Sequence, residues 1–474
     1  MRGTVIRYSD YKGYGFIKSQ DSNENYFVHI SQISGDGFRT LIEGQVVEFE
    51  PYYSNKGWQA RDVHRVTLHS DEEPIFNDKL KLKKNPFTPQ YPVNDPLKFA
   101  GRKHAFMNAI DGLFNNKNIL ISGPRGIGKS SISNQLLLLT QGDTTLLNRL
   151  NVDLDGYVFN YLSGDYRCVP GNSLNDLIDG LLSSLKINIG KIKTIKDKKY
   201  KVELNFKFIK AGMESSEVPL TPTELSTLFV AEVENIYREF DHQINGICLL
   251  IDEIDVLEDK VDIAPFLKSV IEKFKMDNFI NISFLVSGVT GITTSLIAQH
   301  QSSTRLFEIL ELQRMTDSEL SELMELTLDG TGVDIIAEAK SKILSLSNRF
   351  PQPVHLLGYH SFRVDDDNII NLDDVEQAKD FIVQNLRRQE FNSKLEKLGK
   401  GAISEILKVL ATSQSETINI SYLYNRLPNY KDDEIAGNLG NLEKWDIIEK
   451  QHRGVYRFKE PLFKIYIRWI FGVL

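Results

Sequence analysis

The first 66 residues alternate polar and apolar positions in short runs broken by glycine. Val5-Ile6-Arg7-Tyr8, Gly15-Phe16-Ile17-Lys18, Tyr26-Phe27-Val28-His29-Ile30, Val46-Val47-Glu48-Phe49-Glu50 and Ala60-Arg61-Asp62-Val63 predict five strands, punctuated by glycines such as Gly13, Gly44 and Gly57. Five short strands suit a small OB-type β-barrel. The alternation stops in residues 67–97, where Asp71-Glu72-Glu73-Pro74, Lys83-Lys84-Asn85-Pro86, Pro89, Pro92 and Pro96 predict a charged, proline-punctuated linker. From residue 98 to 313, helical spacing alternates with short apolar runs, which predicts a parallel α/β sheet. Helical spacing then holds over 316–327, 333–347, 353–361 and 373–391, so residues 314–392 read as a helical lid. Residues 393–474 read as three helices, a hairpin around Gly454 and a last amphipathic helix after Pro461, the order of a winged helix. The expected fold is therefore multidomain: barrel, α/β core with lid, winged helix.

Composition narrows this picture little. The 474 residues exceed what one core accommodates, and 41% hydrophobic with 25% charged residues is ordinary for a globular protein. A net charge of −8 argues against a polybasic nucleic-acid binder, so any such binding must be local. The longest apolar runs, such as Leu136 to Leu139 and Ile247 to Ile251, are far too short to span a membrane. Cys168 and Cys248 form no metal pattern with the nine histidines. No signal-peptide core follows Met1, and the expected home is a reducing cytoplasm.

The strongest chemistry follows the apolar run Asn118-Ile119-Leu120-Ile121-Ser122. Gly123-Pro124-Arg125-Gly126-Ile127-Gly128-Lys129-Ser130 then leads into a helix from Ser131 to Thr140. This is the full GxxxxGK[ST] pattern in strand–loop–helix context. Glycines let backbone N–H groups curl around phosphates, and the helix N-terminus adds its dipole. Lys129 is placed to reach the β- and γ-phosphates of ATP, and Ser130 to ligate Mg²⁺. A second apolar run, Ile247 to Ile251, ends in Asp252-Glu253. Asp252 is expected to hold Mg²⁺, and Glu253 to polarise an attacking water, which argues for hydrolysis. A third run, Ile282 to Val286, ends at Ser287, which either contacts the γ-phosphate or simply closes the strand. Arg305, before the run Leu306 to Leu310, either reaches a neighbouring subunit's ATP or pairs with Glu308 or Glu311 on the surface.

On these motifs residues 85–361 resemble the AAA+/STAND P-loop ATPases, close to their origin-recognition branch. Phe99-Ala100-Gly101-Arg102 resembles that group's entry motif, which implies that Arg102 lies near the adenine. The resemblance implies roles for Asp252, Glu253, Ser287 and Arg305 as above, and a homo-oligomer. Two departures stand out. Where that group's lid helix opens with an arginine sensor, this chain reads Arg349-Phe350-Pro351-Gln352-Pro353-Val354-His355, so either His355 takes the position or the chain has no such sensor. An insertion occupies about residues 186–222, with an apparent hairpin over 200–210.

In the barrel, Lys12-Gly13-Tyr14-Gly15-Phe16-Ile17-Lys18 puts two aromatics on one strand face, and Phe27 and His29 do the same on a later strand. Tyr8 and Phe38 extend the set. Such a face framed by lysines and Arg39 suits stacking of unpaired bases, worth about 1–3 kcal/mol each; the alternative is that the aromatics fill the barrel core. Residues 1–66 closely resemble a cold-shock domain, which implies single-stranded DNA or RNA binding through Lys12, Tyr14, Phe16, Phe27, His29 and Phe38. Arg7 stands where that family has a tryptophan and Ile30 where it has a third aromatic, so weaker and more salt-sensitive binding is expected. Arg7 still offers a guanidinium plane for stacking.

In the winged helix the third helix should run over about Asp432 to Trp445. It begins Asp432-Asp433-Glu434, which repels phosphate, whereas Lys450, Arg453 and Arg457 make the wing basic. A protein-contact or lid role is expected for it. The leading functional reading is an ATP-driven oligomeric switch tied to single-stranded nucleic acid, with output to a protein partner, in bacterial stress or antiphage defence. The alternatives are a loader or initiator ATPase for replication or transposition, and a nucleic-acid binder with a degenerate ATP site.

Overall fold

The computed structural model describes residues 1–9, 14–19, 22, 24–29, 32–33, 41, 46–54, 57–65, 84–195, 220–258, 260–276, 281–289, 306–386, 391, 394, 401–413, 415 and 417–471. It divides into two compact units, Met1–Lys83 and Lys84–Leu474.

In the first unit, β1 (Arg2–Ser9), β2 (Tyr14–Ser19), β3 (Asn25–His29), β4 (Val46–Ser54) and β5 (Gly57–Arg65) close into a barrel of order β1-β2-β3-β5-β4. Every pairing is antiparallel except β3 with β5. The period of two explains the closure. Ile17, Tyr26, Val28, Val47, Phe49 and Ala60 point inward and are buried, while Phe16, Lys18, His29, Glu48 and Arg61 point outward.

The second unit is built on a five-stranded parallel sheet of order β10-β6-β9-β8-β7. The strands are β6 (Asn118–Ser122), β7 (Tyr161–Arg167), β8 (Gly246–Asp252), β9 (Ile282–Gly288) and β10 (Phe307–Glu311). β6, β8 and β9 are buried at every position, which is why they read as continuous apolar runs. One face carries α1 (Lys103–Phe114), α2 (Lys129–Thr140) and α3 (Thr145–Leu150). The other carries α4 (Leu174–Ile195), α5 (Pro222–Phe240) and α6 (Lys260–Met276). The insertion expected at 186–222 thus starts inside α4 and ends at α5; its apparent hairpin lies outside the described residues.

The helical region expected to be a lid comprises α7 (Asp317–Leu328), α8 (Ala337–Ser347), α9 (Pro351–Val364) and α10 (Leu372–Leu386). The helix expected over 333–347 starts only at Ala337. Before it, β11 (Asp334–Ile335) pairs in parallel with β12 (Ile369–Ile370), because Val333 to Ile336 is rich in β-branched residues and its amides find carbonyls at Asn368 and Ile370. Beyond the lid come α11 (Ala402–Thr412), β13 (Ile418–Asn419), α12 (Ile420–Arg426), α13 (Asp432–Lys444), β14 (Ile448–His452), β15 (Val455–Phe458) and α14 (Pro461–Ile470). The three strands form a small sheet of order β13-β15-β14. This region shares one apolar cluster with the lid, and Trp469 Nε1 donates to Leu346 O at 3.1 Å. Among the described residues no helix is long and apolar enough to cross a membrane.

Candidate functional site

A cavity of about 480 Å³ opens at the carboxyl ends of the sheet strands, where parallel α/β folds place ligands. Part of its polar lining is the loop between β6 and α2. Gly126 suits the turn through its φ of +76°, and a Cβ there would stand 2.3 Å from Oε1 at the mobile end of the Gln352 side chain, at the start of α9. α2 begins at Lys129, which is 8% exposed. Its Nζ donates to the loop carbonyls of Gly123 at 2.9 Å and Pro124 at 3.1 Å. Burial lowers its pKa, opposed by the nearby carboxylates of Asp255, Asp252 and Glu253.

Asp252 closes β8 and is buried. Its Oδ1 accepts from the Ser287 hydroxyl on neighbouring β9 and from the Glu253 N–H at 3.1 Å. That leaves Oδ2 as the carboxylate's other oxygen. Glu253 adopts φ +56°, a left-handed conformation that costs a non-glycine residue about 1–2 kcal/mol. Its Oε1 lies 2.7 Å from Arg167 Nη2 at the tip of β7. The hydrogen bond to Glu253 is the main reason that the Arg167 pKa is raised. Arg167, Glu253, Ser130 and Arg125 line the same cavity. Cys168 is fully buried beside them, and burial pushes its thiol up to about 12, so it is no nucleophile at neutral pH.

The apolar part of the lining comes from residues that include Pro89, Tyr91, Val93, Phe99, Ala100 and Leu323. Arg102, in the left-handed region, donates through Nη2 to Ile127 O at 2.9 Å and through Nη1 to Gln313 O. Its amide binds Glu319 Oε1 at 2.7 Å. Burial lowers the Arg102 pKa and Glu319 opposes this. Arg102 therefore props the phosphate loop against the lid.

The segment Asn85 to Asn94 runs along the cavity as a strap. Asn85 Nδ2 donates to Tyr359 O at 2.8 Å, and Phe87 packs so tightly on Gly358 that a Cβ there would meet its ring at 2.4 Å. The Thr88 N–H donates to His355 Nδ1 at 3.3 Å. The Val93 N–H donates to the Ser131 hydroxyl at 3.1 Å, and Gln135 on α2 holds the carbonyls of Val93 and Asn94. The strap thus ties lid helix α9 to the phosphate-loop helix. Its prolines mark a shaped wall, where the sequence pattern suggested free linker.

The structure brings together Arg102, the loop Gly123 to Ser131, Asp252, Glu253 and Ser287. Arg305 lies outside the described residues. Gln352 and Arg167 were missed by sequence reasoning. Arg167 stands 86 positions from Glu253, and only the β7–β8 register, which sets Arg167 opposite Asp252, joins them.

On the barrel, Tyr14 pairs with His29 and Phe16 with Phe27 across β2 and β3. Ring centroids are 5.4 Å apart for Tyr14–Phe27 and 5.8 Å for Phe16–Phe27, and Phe16 is 42% exposed. These aromatics therefore form an outer platform and leave the core to aliphatics, Tyr26 and Phe49. Arg7 and Tyr8 lie on β1 opposite Phe16 and Gly15. Lys12 and Phe38 lie outside the described residues. The row continues from Phe27 to Gln59 on β5 and Tyr52 on β4, with the Arg61 guanidinium 5.8 Å from the Tyr52 ring centre; these three were not among the residues expected to bind nucleic acid.

Residues 1–66 match the family model of the 'Cold-shock' DNA-binding domain. The cold shock-like protein CspA of Stigmatella aurantiaca is 50% identical over 64 residues, 14% of this chain and 94% of the relative. The cold shock-like protein CspC of Escherichia coli K12 is 46% identical over 66 residues, 14% of this chain and 96% of the relative. Among solved structures, a Walker-type ATPase of Pyrococcus abyssi is 17% identical with a TM-score of 0.48, covering 80% of this chain and 99% of that one. The Orc1 protein of Aeropyrum pernix in complex with DNA is 13% identical with a TM-score of 0.38, covering 83% and 98%.

Proposed function

We propose that this chain, which through residues 1–66 belongs to the 'Cold-shock' DNA-binding domain family, is a Mg²⁺-dependent ATPase switch whose state is tied to single-stranded nucleic acid. The observation that carries the ATPase reading is that Lys129, Ser130 and Glu253 line one nucleotide-sized cavity, with Asp252 close enough to Lys129 to act on its charge and bonded to Ser287 and the Glu253 amide. The phosphates lie along the loop Gly123 to Ser131, with the base against the apolar part of the lining. Lys129 releases its two loop carbonyls and takes phosphate oxygens, which offsets its burial.

The donor set fits magnesium. Ser130 and Asp252 offer hard oxygens, and Ser287 and the Glu253 amide orient the carboxylate through Oδ1. Among the described residues no group of three or more His, Cys, Asp or Glu could hold a metal alone, so the remaining ligands come from phosphate and water. When bound, the ion neutralises charge on the phosphates. Glu253 takes the proton of the attacking water. Its carboxylate is held by Arg167 until that partner is drawn away, which makes the pair a brake on turnover.

The outer aromatic platform of Tyr14, Phe16, Phe27 and His29 stacks unpaired bases, and the cold-shock resemblance adds Arg7, Tyr8, Lys12 and Phe38 to the binding set. The C-terminal helices and β-hairpin read as a winged helix in a protein-contact role, because α13 opens with three acids and Arg457 of the wing is paired with Glu449. A homo-oligomer with Arg305 acting in trans, membership of the origin-recognition-like AAA+/STAND group and a part in bacterial stress or antiphage defence complete the proposal. A loader ATPase would instead need duplex binding through Lys450, Arg453 and Arg457. Neutralising all three and finding duplex affinity unchanged removes that reading.

The test is ATP hydrolysis by the full chain with magnesium. Wild type should turn over, and Glu253→Gln should bind ATP with similar affinity and not release phosphate. Nucleotide binding without turnover in any assembly state would refute the enzyme.

A further inference from the structure

The outer row of the barrel runs past the aromatic platform. Parallel pairing sets Phe27 of β3 beside Gln59 of β5, and antiparallel pairing sets Gln59 beside Tyr52 of β4. Paired residues share a sheet face. The next pair, Val28 and Ala60, fills the core, so Phe27, Gln59 and Tyr52 all face outward. Hydrogen bonds hold the continuation together. The Tyr52 hydroxyl donates to Gln59 Oε1 at 2.5 Å, and Gln59 Nε2 donates to Ser54 Oγ at 2.8 Å. Arg61 lies two residues beyond Gln59 on the same face. Its guanidinium stands 5.8 Å from the Tyr52 ring centre, and Glu50 orients it at 3.2 Å. The reverse face of the β4–β5 hairpin is backed separately. Tyr53 pairs with Trp58, their rings 5.2 Å apart, and the Trp58 ring lies 5.8 Å from that of Tyr26 on β3. The hairpin therefore presents Tyr52 on a braced support.

Tyr52 is partly exposed, and the Arg61 side chain is 57% exposed. A ring beside a guanidinium, in line with a base-stacking platform, offers two planes that suit the flat face of an unpaired base. Neighbouring strands lie about 4.8 Å apart, so Tyr52 stands two strands, about 10 Å, past Phe27. Resting on the nucleic-acid reading above, we propose that Tyr52 and Arg61 form a further base-stacking subsite, reached only by a single strand long enough to pass Phe27 and cross β5. Gln59 touches the Tyr52 hydroxyl and is a positioning residue. Charge sets the subsite's character. Glu48 and Glu50 also face outward on β4, but Glu48 is paired with Arg2 at 2.7 Å and Glu50 with Arg61, so the patch is close to neutral. Its contribution is stacking, and it adds little to the salt dependence of binding.

The test is affinity against ligand length. Fluorescence anisotropy of the full chain is measured with labelled oligothymidylates of about 4 to 16 nucleotides, the range of site sizes of such folds. Wild-type affinity should climb with length. Tyr52→Ala should bind the longest strands about fivefold or more weakly and the shortest within twofold of wild type. Phe16→Ala should weaken every length. Tyr52→Phe keeps the ring and should keep most of the long-strand affinity. Should Tyr52→Ala fail to fold, the wild-type chain gives a second readout: iodouracil placed along a long strand should photocross-link to Tyr52 from positions near one end. A loss equal at all lengths, no loss at any length, or cross-links that never include Tyr52 overturns the proposal and leaves the platform standing. A lower melting temperature in Tyr52→Ala with affinity intact at every length does the same, since it marks a ring that only braces the hairpin. Failure of wild type to bind any oligonucleotide would instead sink the nucleic-acid reading itself.

Discussion

Arg167 Nη2 lies 2.7 Å from Glu253 Oε1, joining the tips of two neighbouring parallel strands across the mouth of the cavity. Both side chains are more than a third exposed, so the pair adds little to stability. Its consequence is positional: the carboxylate proposed to take a proton from water is held by a guanidinium.

Removing the guanidinium should therefore free the base. Arg167→Ala is expected to raise basal ATP turnover severalfold, with unfolding free energy changed by less than about 1 kcal/mol. Steady-state phosphate release and a denaturant melt report both. A fall in turnover would mean that Arg167 serves the nucleotide directly.

Gly126 offers a steric test of the loop and lid. Gly126→Ala places a Cβ 2.3 Å from Gln352 Oε1 at φ +76°. Nucleotide affinity should fall by about tenfold or more through loop distortion. Gln352→Ala in the same chain should relieve the steric part and leave the backbone strain, so recovery should be partial. Full affinity in Gly126→Ala alone would show that the lid does not sit on the loop in solution.

His355 predicts a pH dependence. The folded ring resists protonation until about pH 4, whereas the unfolded ring takes a proton near 6.5. Between those values the unfolded state binds the extra proton, so stability falls as pH drops through that window and is unaffected by this group above it. The full loss is about 3 kcal/mol. Denaturant melts at pH 7 and pH 4.5 should differ less in His355→Phe than in wild type. Equal differences would show that the ring is accessible to protons in the folded state.

On the barrel, Phe16→Ala should weaken binding of single-stranded oligonucleotides by about 1–3 kcal/mol with little effect on folding, because the ring is 42% exposed. Val28→Ala, fully buried, should do the reverse, costing stability and leaving the affinity of the folded fraction intact. Fluorescence anisotropy against a thermal melt separates the two.

The phosphate loop was legible because all its parts are consecutive in the chain: an apolar strand, glycines at the turn, then a helix. The barrel was legible because its strands alternate with period two. Arg167 was not, since strand order sets it beside Glu253 and no local pattern marks it. The strap misled for a physical reason. Prolines at 86, 89, 92 and 96 signal an extended chain, and an extended chain serves as linker or as wall; Phe87 against Gly358 decides it. Val333 to Ile336 misled similarly, because β-branched residues beside a helix start can pair as strand when a partner such as Ile369–Ile370 is brought near.

The claim that joins both units is that nucleic acid on the barrel changes what happens at Glu253. The direct measurement is the ATPase rate of the full chain with and without single-stranded DNA, single-stranded RNA and duplex. The account predicts stimulation by a single-stranded ligand, lost in Phe16→Ala and in Glu253→Gln, with duplex inert. A rate indifferent to every nucleic acid, or raised by duplex alone, would contradict it.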